Sequence, residues 1–318
     1  MLIYIGTFFI ALLSTVFVAP IVIKFATFKG VLDKPDPRKI HKEPVPRLGG
    51  ISIYVGFALA LLFALIFSWF NGMHIKYLGI LGIFISATIM FFLGIVDDVK
   101  GVNSLIKLLI QLLASAIVIF FGIEINFISN PFNGIFPLIG FISIPLTLIW
   151  LTGVTNAVNL IDGLDGFAAG VTTISAMTLF FVALRTHEIG AALILLSLAG
   201  AALGFLKYNF FPARIFLGDS GSYFLGFLLA TSSIMGVFKT TLVVALIIPL
   251  LILGVPIFDT MFAIGRRLSE RKSPFAPDKG HIHHMLLRAG FTQREAVLSI
   301  YVACFLLSIG ALLMALKH

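Results

Sequence analysis

Two adjacent carboxylates, Asp97 and Asp98, stand at the end of a long apolar segment and are followed by Lys100. If that segment is a helix, its C-terminal end already carries negative partial charge, so helix stability alone would not select them. One interpretation is a solvated helix end paired with Lys100. The other is a Mg²⁺ ligand or a general base, because hard cations take oxygen ligands and adjacent carboxylates shift each other's pKa.

A second cluster combines amides, carboxylates and glycines within twelve residues of chain. Its members are Asn156, Asn159, Asp162, Gly163, Asp165 and Gly166. Asn156, Asn159 and Asp162 recur at three-residue spacing and therefore share one helical face. The glycines let the backbone turn and approach a ligand closely. A plain loop does not require this density of polar groups, which need partners at a membrane boundary, so the pattern favours a ligand pocket.

A third acidic position, Asp219, lies at the start of another apolar segment, between Gly218 and Ser220. An ordinary N-cap would explain Asp219. The alternative is a metal-ligating carboxylate whose small neighbours, among them Ser222, bring backbone N–H groups to a phosphate at a helix N-terminus. The first two clusters favour this second interpretation.

Cations accompany the carboxylates. Lys107 lies about one turn into an apolar segment, with Gln111 on the same face, and either snorkels to the lipid headgroups or contacts a phosphate. The polar loop that precedes residue 50 contains Lys42 and Arg47 among several prolines. This loop either faces lipid as an inside-positive segment or supplies cations to a diphosphate.

Three histidines, His281, His283 and His284, stand in a cationic segment. They could form a transition-metal site or an acid–base and phosphate-binding cluster. Their position and the interruption by Ile282 exclude an affinity tag. Zinc would need further soft ligands, so contact with a phosphate or sugar is favoured. The single cysteine, Cys304, excludes an internal disulfide framework and a multi-cysteine metal site.

Membrane-spanning helices must position all these groups. Of the 318 residues, 59% are hydrophobic and 11% are charged, and the mean hydropathy of +1.11 exceeds what a water-soluble core accommodates. Apolar runs of about 20 residues recur, which is the length that crosses roughly 30 Å of hydrocarbon. The sequence thus predicts an all-α polytopic membrane protein of about ten transmembrane helices. They are expected at residues 2–24, 49–69, 77–96, 103–122, 138–157, 163–184, 188–206, 220–236, 240–264 and 295–316.

The distribution of charge predicts the orientation. Lys and Arg concentrate in alternate connections, as they do on the cytoplasmic side of membrane proteins. Residues 1–318 are expected to form a single transmembrane domain with both termini extracytoplasmic. The predicted cytoplasmic loops lie near 25–48, 97–103, 156–165, 207–219 and 265–294. Most acidic residues share this face, although carboxylates near lipid are costly, so we expect a polar, metal-capable site there. The net charge of +8 suits anionic lipids and substrates.

Together these motifs resemble those of the polyprenyl-phosphate N-acetylhexosamine-1-phosphate transferases over nearly the whole chain. They are residues 46–50 (PRLGG), Asp97-Asp98, 156–165, 216–222 (FLGDSGS) and 281–284 (HIHH). PRLGG, the approach through Arg214 and the histidine loop look like the WecA- and TagO-like branch, which uses UDP-GlcNAc. The branch that uses UDP-MurNAc-pentapeptide usually has Thr where Arg47 stands. Gly101 occupies the position of the family's third acidic residue.

The resemblance implies transfer of GlcNAc-1-phosphate from UDP-GlcNAc to undecaprenyl phosphate in the bacterial inner membrane, which initiates a cell-envelope polymer. It implies Mg²⁺, with Mn²⁺ as an alternative, held largely by Asp219 and the donor diphosphate. Asp97 or Asp98 would deprotonate or position the acceptor phosphate, and Lys107 would bind it. Donor contacts would come from Lys42, Arg47, Asn156, Asn159, Asp162, Gly163, Asp165, Ser222, His281, His283 and His284. Membrane lipids are expected partners, nucleic acid is not, and a homodimer is left open.

Two other functions stay open at this point. One is the phospho-MurNAc-pentapeptide transferase of peptidoglycan synthesis, which belongs to the same family. The other is an ion-coupled transporter, which would place charges near the membrane midplane and repeat one half of its chain in the other. Here the charges crowd one face and no internal repeat is visible. A structural or assembly protein would not need the clustered Asn, Asp and His residues.

Overall fold

A computed structural model describes residues 1–33, 43–73, 75–130, 134–137, 140–237, 250–269 and 281–317. Helices form most of it. They are α1 (Leu2–Lys29), α2 (Gly50–Phe70), α3 (Tyr77–Lys100), α4 (Ser104–Phe120), α5 (Gly140–Leu160), α6 (Phe167–Arg185), α7 (Ile189–Asn209), α8 (Gly218–Val237), α9 (Gly254–Ser269), α10 (Ile282–Arg288) and α11 (Gln293–Lys317). Two antiparallel ribbons pair β1 (Leu32–Asp33) with β2 (Val45–Pro46) and β3 (Phe127–Asn130) with β4 (Gly134–Pro137).

Seven of these helices are long and apolar enough to cross a membrane. They are α1, α2, α3, α5, α6, α7 and α11, and α4 is a shorter apolar helix of 17 residues. The prediction of an all-α polytopic membrane protein is therefore confirmed. The count of about ten spans and the side of each terminus stay predictions. Residues 238–249, which cover the first part of the predicted span 240–264, lie outside the described residues.

Helix α7 forms the centre of the bundle, with 83% of its apolar window buried against 28% for α1 and for α11. It packs against α1, α2 and α6, while α8 packs against α3 and α5. Small residues permit the approach of α7 to α1. A Cβ atom on Gly200 would lie 2.4 Å from the Phe8 carbonyl oxygen, and one on Gly204 2.5 Å from that of Leu12. Close backbone contact of this kind holds helices together where no hydrophobic driving force acts between them.

Alternating helix directions bring one set of helix ends to the same face of the bundle. Helices α1, α3, α5 and α7 end where α2, α4, α6 and α8 begin. Backbone hydrogen bonds join these ends across the face, from Arg47 N to Val31 O (3.1 Å) and from Gly50 N to Leu217 O (3.0 Å). The connections that carry the predicted site residues thus lie together, and we call this surface the loop face.

The first turn of α8 is enclosed by α2 and α3 at the loop face. A Cβ atom on Gly50 would lie 2.3 Å from the Gly221 nitrogen, and one on Gly94 would lie 2.3 Å from Ser220 Cα. Both distances are far below van der Waals contact with backbone atoms that have no room to move. Only glycine fits at these two positions, so the two glycines allow α2 and α3 to pack directly on the backbone of the first turn of α8.

Substitution of Gly94 tests this packing. Gly94→Ala should destabilise the protein by about 1–3 kcal/mol or more, because the added methyl group overpacks the α3–α8 contact. Gly153→Ala is the matched control, since Gly153 is also helical and a Cβ there has nothing within 4 Å. That control should keep or raise stability, because alanine favours helix more than glycine does. Thermal unfolding in detergent measures both, and equal midpoints would contradict the packing.

Candidate functional site

A cavity of about 690 Å³ opens at the loop face. Six of its lining residues are acidic: Asp33, Glu43, Asp98, Asp162, Asp165 and Asp219. Arg47 and His284 are the basic residues in the lining that the structure describes, and Asn159 and Gly163 also line it. Eight of the predicted site residues therefore share one cavity, although they come from distant parts of the sequence. The cavity concentrates negative charge at the edge of the apolar bundle.

Asp98 caps the N-terminus of α8. Its Oδ1 accepts a hydrogen bond from Asp219 N (2.9 Å) and its Oδ2 accepts one from Ser220 N (3.0 Å). A helix N-terminus has unpaired N–H groups and positive partial charge, so a carboxylate from another helix stabilises it. The capping role that the sequence offered for Asp219 thus belongs to Asp98, which comes from α3. Gly218 has φ +73°, and a Cβ there would lie 2.6 Å from Asp98 Oδ2.

Asp97 is not in the cavity lining but contacts the side chain of Asp219, which is, and it is the centre of a second network. Its Oδ2 forms an ion pair with Lys107 of α4 and accepts a hydrogen bond from the Tyr223 hydroxyl (3.2 Å), while its Oδ1 accepts one from Val102 N (2.9 Å). Lys107 is thus not snorkelling to headgroups but is paired with a buried carboxylate. The adjacent residues Asp97 and Asp98 both contact Asp219 but otherwise have different partners, because Asp98 binds backbone N–H groups of α8 and Asp97 binds Lys107 and Tyr223.

Asp219 lies in the first turn of α8 beside the carboxylates of Asp97 and Asp98. The side-chain amide of Asn159 donates to Asp219 Oδ1 (2.6 Å) and to Ser222 Oγ (2.8 Å). Asn159 from α5 therefore joins two residues of α8 and fixes the orientation of Asp219. Ser222 contacts Asn159 and supports this arrangement from outside the cavity lining.

Asp162 and Gly163 follow the end of α5. Burial, and then repulsion from the carboxylates of Asp219 and Asp98, raises the pKa of Asp162 well above its usual value. A Cβ on Gly163 would lie 2.7 Å from His283 Nε2, so glycine here lets the histidine segment approach the cavity. Asp162 experiences the crowding of like charges that the lining creates.

Asp165 orders the connection between α7 and α8. Its Oδ2 accepts a hydrogen bond from Ala213 N (2.9 Å). The neighbouring Gly166 N donates to Asn209 Oδ1 (3.1 Å), and Asn209 Nδ2 in turn donates to Ile215 O (2.9 Å). These bonds hold the segment after α7 against the start of α6, where it forms one wall of the cavity.

Asn156 is further from the cavity than the sequence pattern suggested. Its side-chain amide pairs reciprocally with that of Gln111, with nitrogen–oxygen distances of 2.7 and 3.2 Å. Gln111 is only 1% exposed. This reciprocal pair of a buried and a half-buried amide joins α4 to α5. It thereby sets the distance between Lys107 and Asn159, which lie one turn away on the respective helices.

The three histidines have different surroundings. His281 Nδ1 lies 2.8 Å from Asp259 Oδ2, and Asp259 Oδ1 accepts a hydrogen bond from Ile282 N (2.7 Å). The His283 ring lies parallel to that of His281 and edge-on to Phe167. Burial, assisted by His284, lowers the pKa of His283 to about 4. His283 is therefore neutral near pH 7, and His284 reaches the cavity lining.

Arg47 also lines the cavity. Its guanidinium donates to Asp33 Oδ1 at 2.5 Å, which joins the segment after β2 to β1. Lys42, the other predicted cation of this loop, lies outside the described residues. Sequence reasoning missed Tyr223, Asn209 and Asp259 as contributors. Tyr223 had one usable signal, since it follows Asp219 by four residues on the same helical face.

The donor set fits a hard divalent cation only if a ligand completes it. Among the described residues, no group of three or more His, Cys, Asp or Glu side chains is arranged to hold a metal ion. Asp98 has both carboxylate oxygens on backbone N–H groups, whereas Asp219 faces the cavity. Carboxylate oxygens are the donors that Mg²⁺ takes, and Mg²⁺ is usually bound by one or two carboxylates together with substrate phosphates. Asp219, beside Asp162, fits that role.

Comparison with known proteins identifies close relatives. The sequence profile of glycosyl transferase family 4 matches residues 80–237. A Bacillus subtilis (strain 168) protein, named probable undecaprenyl-phosphate N-acetylglucosaminyl 1-phosphate transferase, is 39% identical over 307 residues. That match covers 96% of this chain and 84% of the relative.

Two further relatives extend the comparison. The decaprenyl-phosphate N-acetylglucosaminephosphotransferase of Mycolicibacterium smegmatis is 34% identical over 89% of this chain and 75% of its own length. The undecaprenyl-phosphate alpha-N-acetylglucosaminyl 1-phosphate transferase of Escherichia coli K12 is 29% identical over 91% of this chain and 78% of its own length. The similarity thus spans nearly all the helices that build the cavity.

The same substitution, Asp to Asn, should affect the stability of the protein differently at Asp98 and at Asp162. Asp98→Asn should lower stability by about 1–3 kcal/mol, because an amide offers one acceptor oxygen to the two N–H groups of α8. Asp162→Asn should keep or raise stability at pH 7, since it removes a charge that its neighbours repel.

Thermal unfolding without divalent cations measures both variants. The raised pKa means that ionisation of Asp162 costs stability as the pH rises. Any advantage of Asp162→Asn should therefore shrink as the pH falls and disappear below about pH 3, where the carboxyl group is protonated in both the folded and the unfolded state. Equal loss of stability in the two variants would refute the capping role of Asp98.

Proposed function

This chain belongs to glycosyl transferase family 4, and we propose that it transfers GlcNAc-1-phosphate from UDP-GlcNAc to undecaprenyl phosphate or a similar polyprenyl phosphate. An oxygen of the lipid phosphate attacks the sugar-linked phosphorus of the donor. The bond from that phosphorus to the bridging oxygen breaks, and UMP leaves with both electrons. The observation that supports this most strongly is the similarity to relatives with this named activity over 89–96% of the chain.

Charge is the main obstacle to this reaction, because an anionic lipid phosphate must attack an anionic diphosphate in a cavity lined by six acidic residues. Positioning and neutralisation therefore supply most of the catalysis of phosphoryl transfer. A divalent cation, Mg²⁺ with Mn²⁺ as the alternative, would be held by Asp219 with the donor phosphates and would neutralise charge on the leaving UMP. Asn159 keeps Asp219 oriented for that role, and Ser222 supports Asn159.

The donor occupies the cavity in this proposal. Asp162, Gly163 and Asp165 form the wall that would accept hydrogen bonds from the nucleotide and admit it closely. Arg47 and His284 line the same cavity and would contact the diphosphate or sugar. Lys42 would add a further cation from the same polar loop. His281 and His283 would act indirectly, since His283 packs behind Gly163 and His281 packs on His283.

The acceptor phosphate would bind on the other side of Asp219, beside Lys107 and Asp97. Lys107 would contact the phosphate, and Asp97 would position it or take its proton. We assign Asp98 to positioning, because its carboxylate holds the first turn of α8, where Asp219 lies. Asn156 would act with Gln111 to keep α4 and α5 in register.

The membrane boundary suits this chemistry. The chain is an integral membrane protein, and bacterial relatives act on lipid-borne phosphates according to their names. We propose that the loop face is cytoplasmic, because it collects most of the Lys and Arg residues and must receive a soluble nucleotide. A transporter would need charges along a path through the bundle, whereas here most of the carboxylates lie at one face.

Release of UMP from UDP-GlcNAc by the purified protein tests the proposal. We expect release that requires both polyprenyl phosphate and a divalent cation. Asp219→Asn should lower it by at least about 100-fold, because one metal-holding, charge-positioning group is lost. Glu295→Gln is the matched control, since Glu295 is an exposed carboxylate on the loop face whose hydrogen bonds within the described part of the chain go to Thr292.

Comparison of donors completes this experiment. UDP-GlcNAc should be turned over in preference to UDP-GalNAc and UDP-MurNAc-pentapeptide. Uptake of substrate into vesicles without release of UMP would overturn the transferase and favour a transporter. Equal turnover by Asp219→Asn and wild type would overturn the assigned site.

A further inference from the structure

Tyr223 is a buried phenol that none of the predicted roles uses. It is 2% exposed and lies on α8 one turn after Asp219. Its hydroxyl donates to Asp97 Oδ2 at 3.2 Å. A buried hydroxyl usually has a hydrogen-bond partner, but this one lies on a carboxylate that the proposed reaction places beside the acceptor phosphate. Tyr223 therefore contacts Asp97, a residue of the proposed acceptor site.

Lys107 is committed to Asp97 in the described structure. To bind a phosphate, Lys107 must share or leave that carboxylate. A buried carboxylate that loses its cation is costly, and a mobile one would lose its position. Besides its contact with the Asp219 side chain, Asp97 would keep two neutral hydrogen-bond donors, namely the Tyr223 hydroxyl and Val102 N. They approach from α8 and from the α3–α4 connection, so together they fix the carboxylate from both sides.

We propose that Tyr223 is a positioning residue for the acceptor phosphate, which holds Asp97 in place while Lys107 turns from Asp97 to the phosphate of the lipid. This inference rests on the proposed function and adds a residue that positions Asp97 while Lys107 binds the phosphate. Asp219 and Tyr223 share one face of α8. The same helix therefore carries the carboxylate of the donor side, Asp219, and the hydroxyl that orients the carboxylate of the acceptor side, Asp97. Correct orientation of two reactants is a large part of catalysis in such transfers.

Tyr223→Phe is the sharpest test, because it removes one hydroxyl and keeps the ring that packs in the core. Tyr54→Phe is the matched control. The Tyr54 hydroxyl forms a hydrogen bond of 3.1 Å with Thr88 Oγ1, and its ring packs on Phe91 and Phe224 in the same region. Steady-state kinetics are measured with each substrate varied in turn, together with the unfolding midpoint of each variant.

For Tyr223→Phe, we expect KM for polyprenyl phosphate to rise roughly tenfold, which corresponds to the loss of one hydrogen bond to a charged group. KM for UDP-GlcNAc should stay within about twofold of wild type, because the donor contacts are intact. Tyr54→Phe should leave both KM values unchanged. A Lys107→Gln, Tyr223→Phe double variant should be impaired less than the product of the single effects, since both residues act through Asp97.

Several results would overturn the inference. They are unchanged acceptor kinetics in Tyr223→Phe, an equal rise in both KM values, or strictly multiplicative effects in the double variant. A fall in kcat alone that parallels a lower unfolding midpoint would show a merely structural role and would also overturn it. Absence of UMP release by the wild-type protein is a separate outcome, because it rejects the proposed function itself.

Discussion

Accumulated negative charge at one end of an apolar bundle is the constraint on which the rest of this structure depends. Six acidic residues line one cavity at the loop face, and Asp97 contacts one of them, Asp219. Each carboxylate is costly near hydrocarbon unless something compensates it. Backbone N–H groups at the start of α8 bind Asp98, Lys107 pairs with Asp97, and Arg47 pairs with Asp33. Asp162 stays under repulsion from its neighbours, Asp219 among them, and our proposal places a divalent cation on Asp219 to relieve this crowding of negative charge.

The start of α8 connects packing to chemistry. Glycines at 50 and 94 let α2 and α3 approach its first turn, and Asp98 binds the N–H groups of that turn. The same turn carries Asp219, and the following one carries Tyr223. Because helix packing sets the position of both side chains, a small shift of α8 would misplace them together. The fold thus supplies a rigid frame of the kind that positioned phosphoryl transfer requires.

Much of this architecture is predictable from sequence, and the failures have one physical cause. Hydropathy finds the helices because the bilayer sets their length and polarity, and clustered carboxylates show where they meet. Helical periodicity gives the face on which a residue lies but not the helix that it meets. Asp98 finds its partners 121 and 122 residues away in α8, and Asn156 pairs with Gln111 at a separation of 45 residues. Their roles therefore needed the structure.

Binding of Mn²⁺ to the purified protein, followed by electron paramagnetic resonance with UDP-GlcNAc present, tests most directly whether the uncompensated carboxylates hold a divalent cation. We expect a saturable Mn²⁺ site in the wild-type protein that depends on the nucleotide sugar and is competed by Mg²⁺. We expect that site to be lost in Asp219→Asn and kept in Glu295→Gln. Equal Mn²⁺ binding by wild type and Asp219→Asn would contradict the proposed assignment of charge in this cavity.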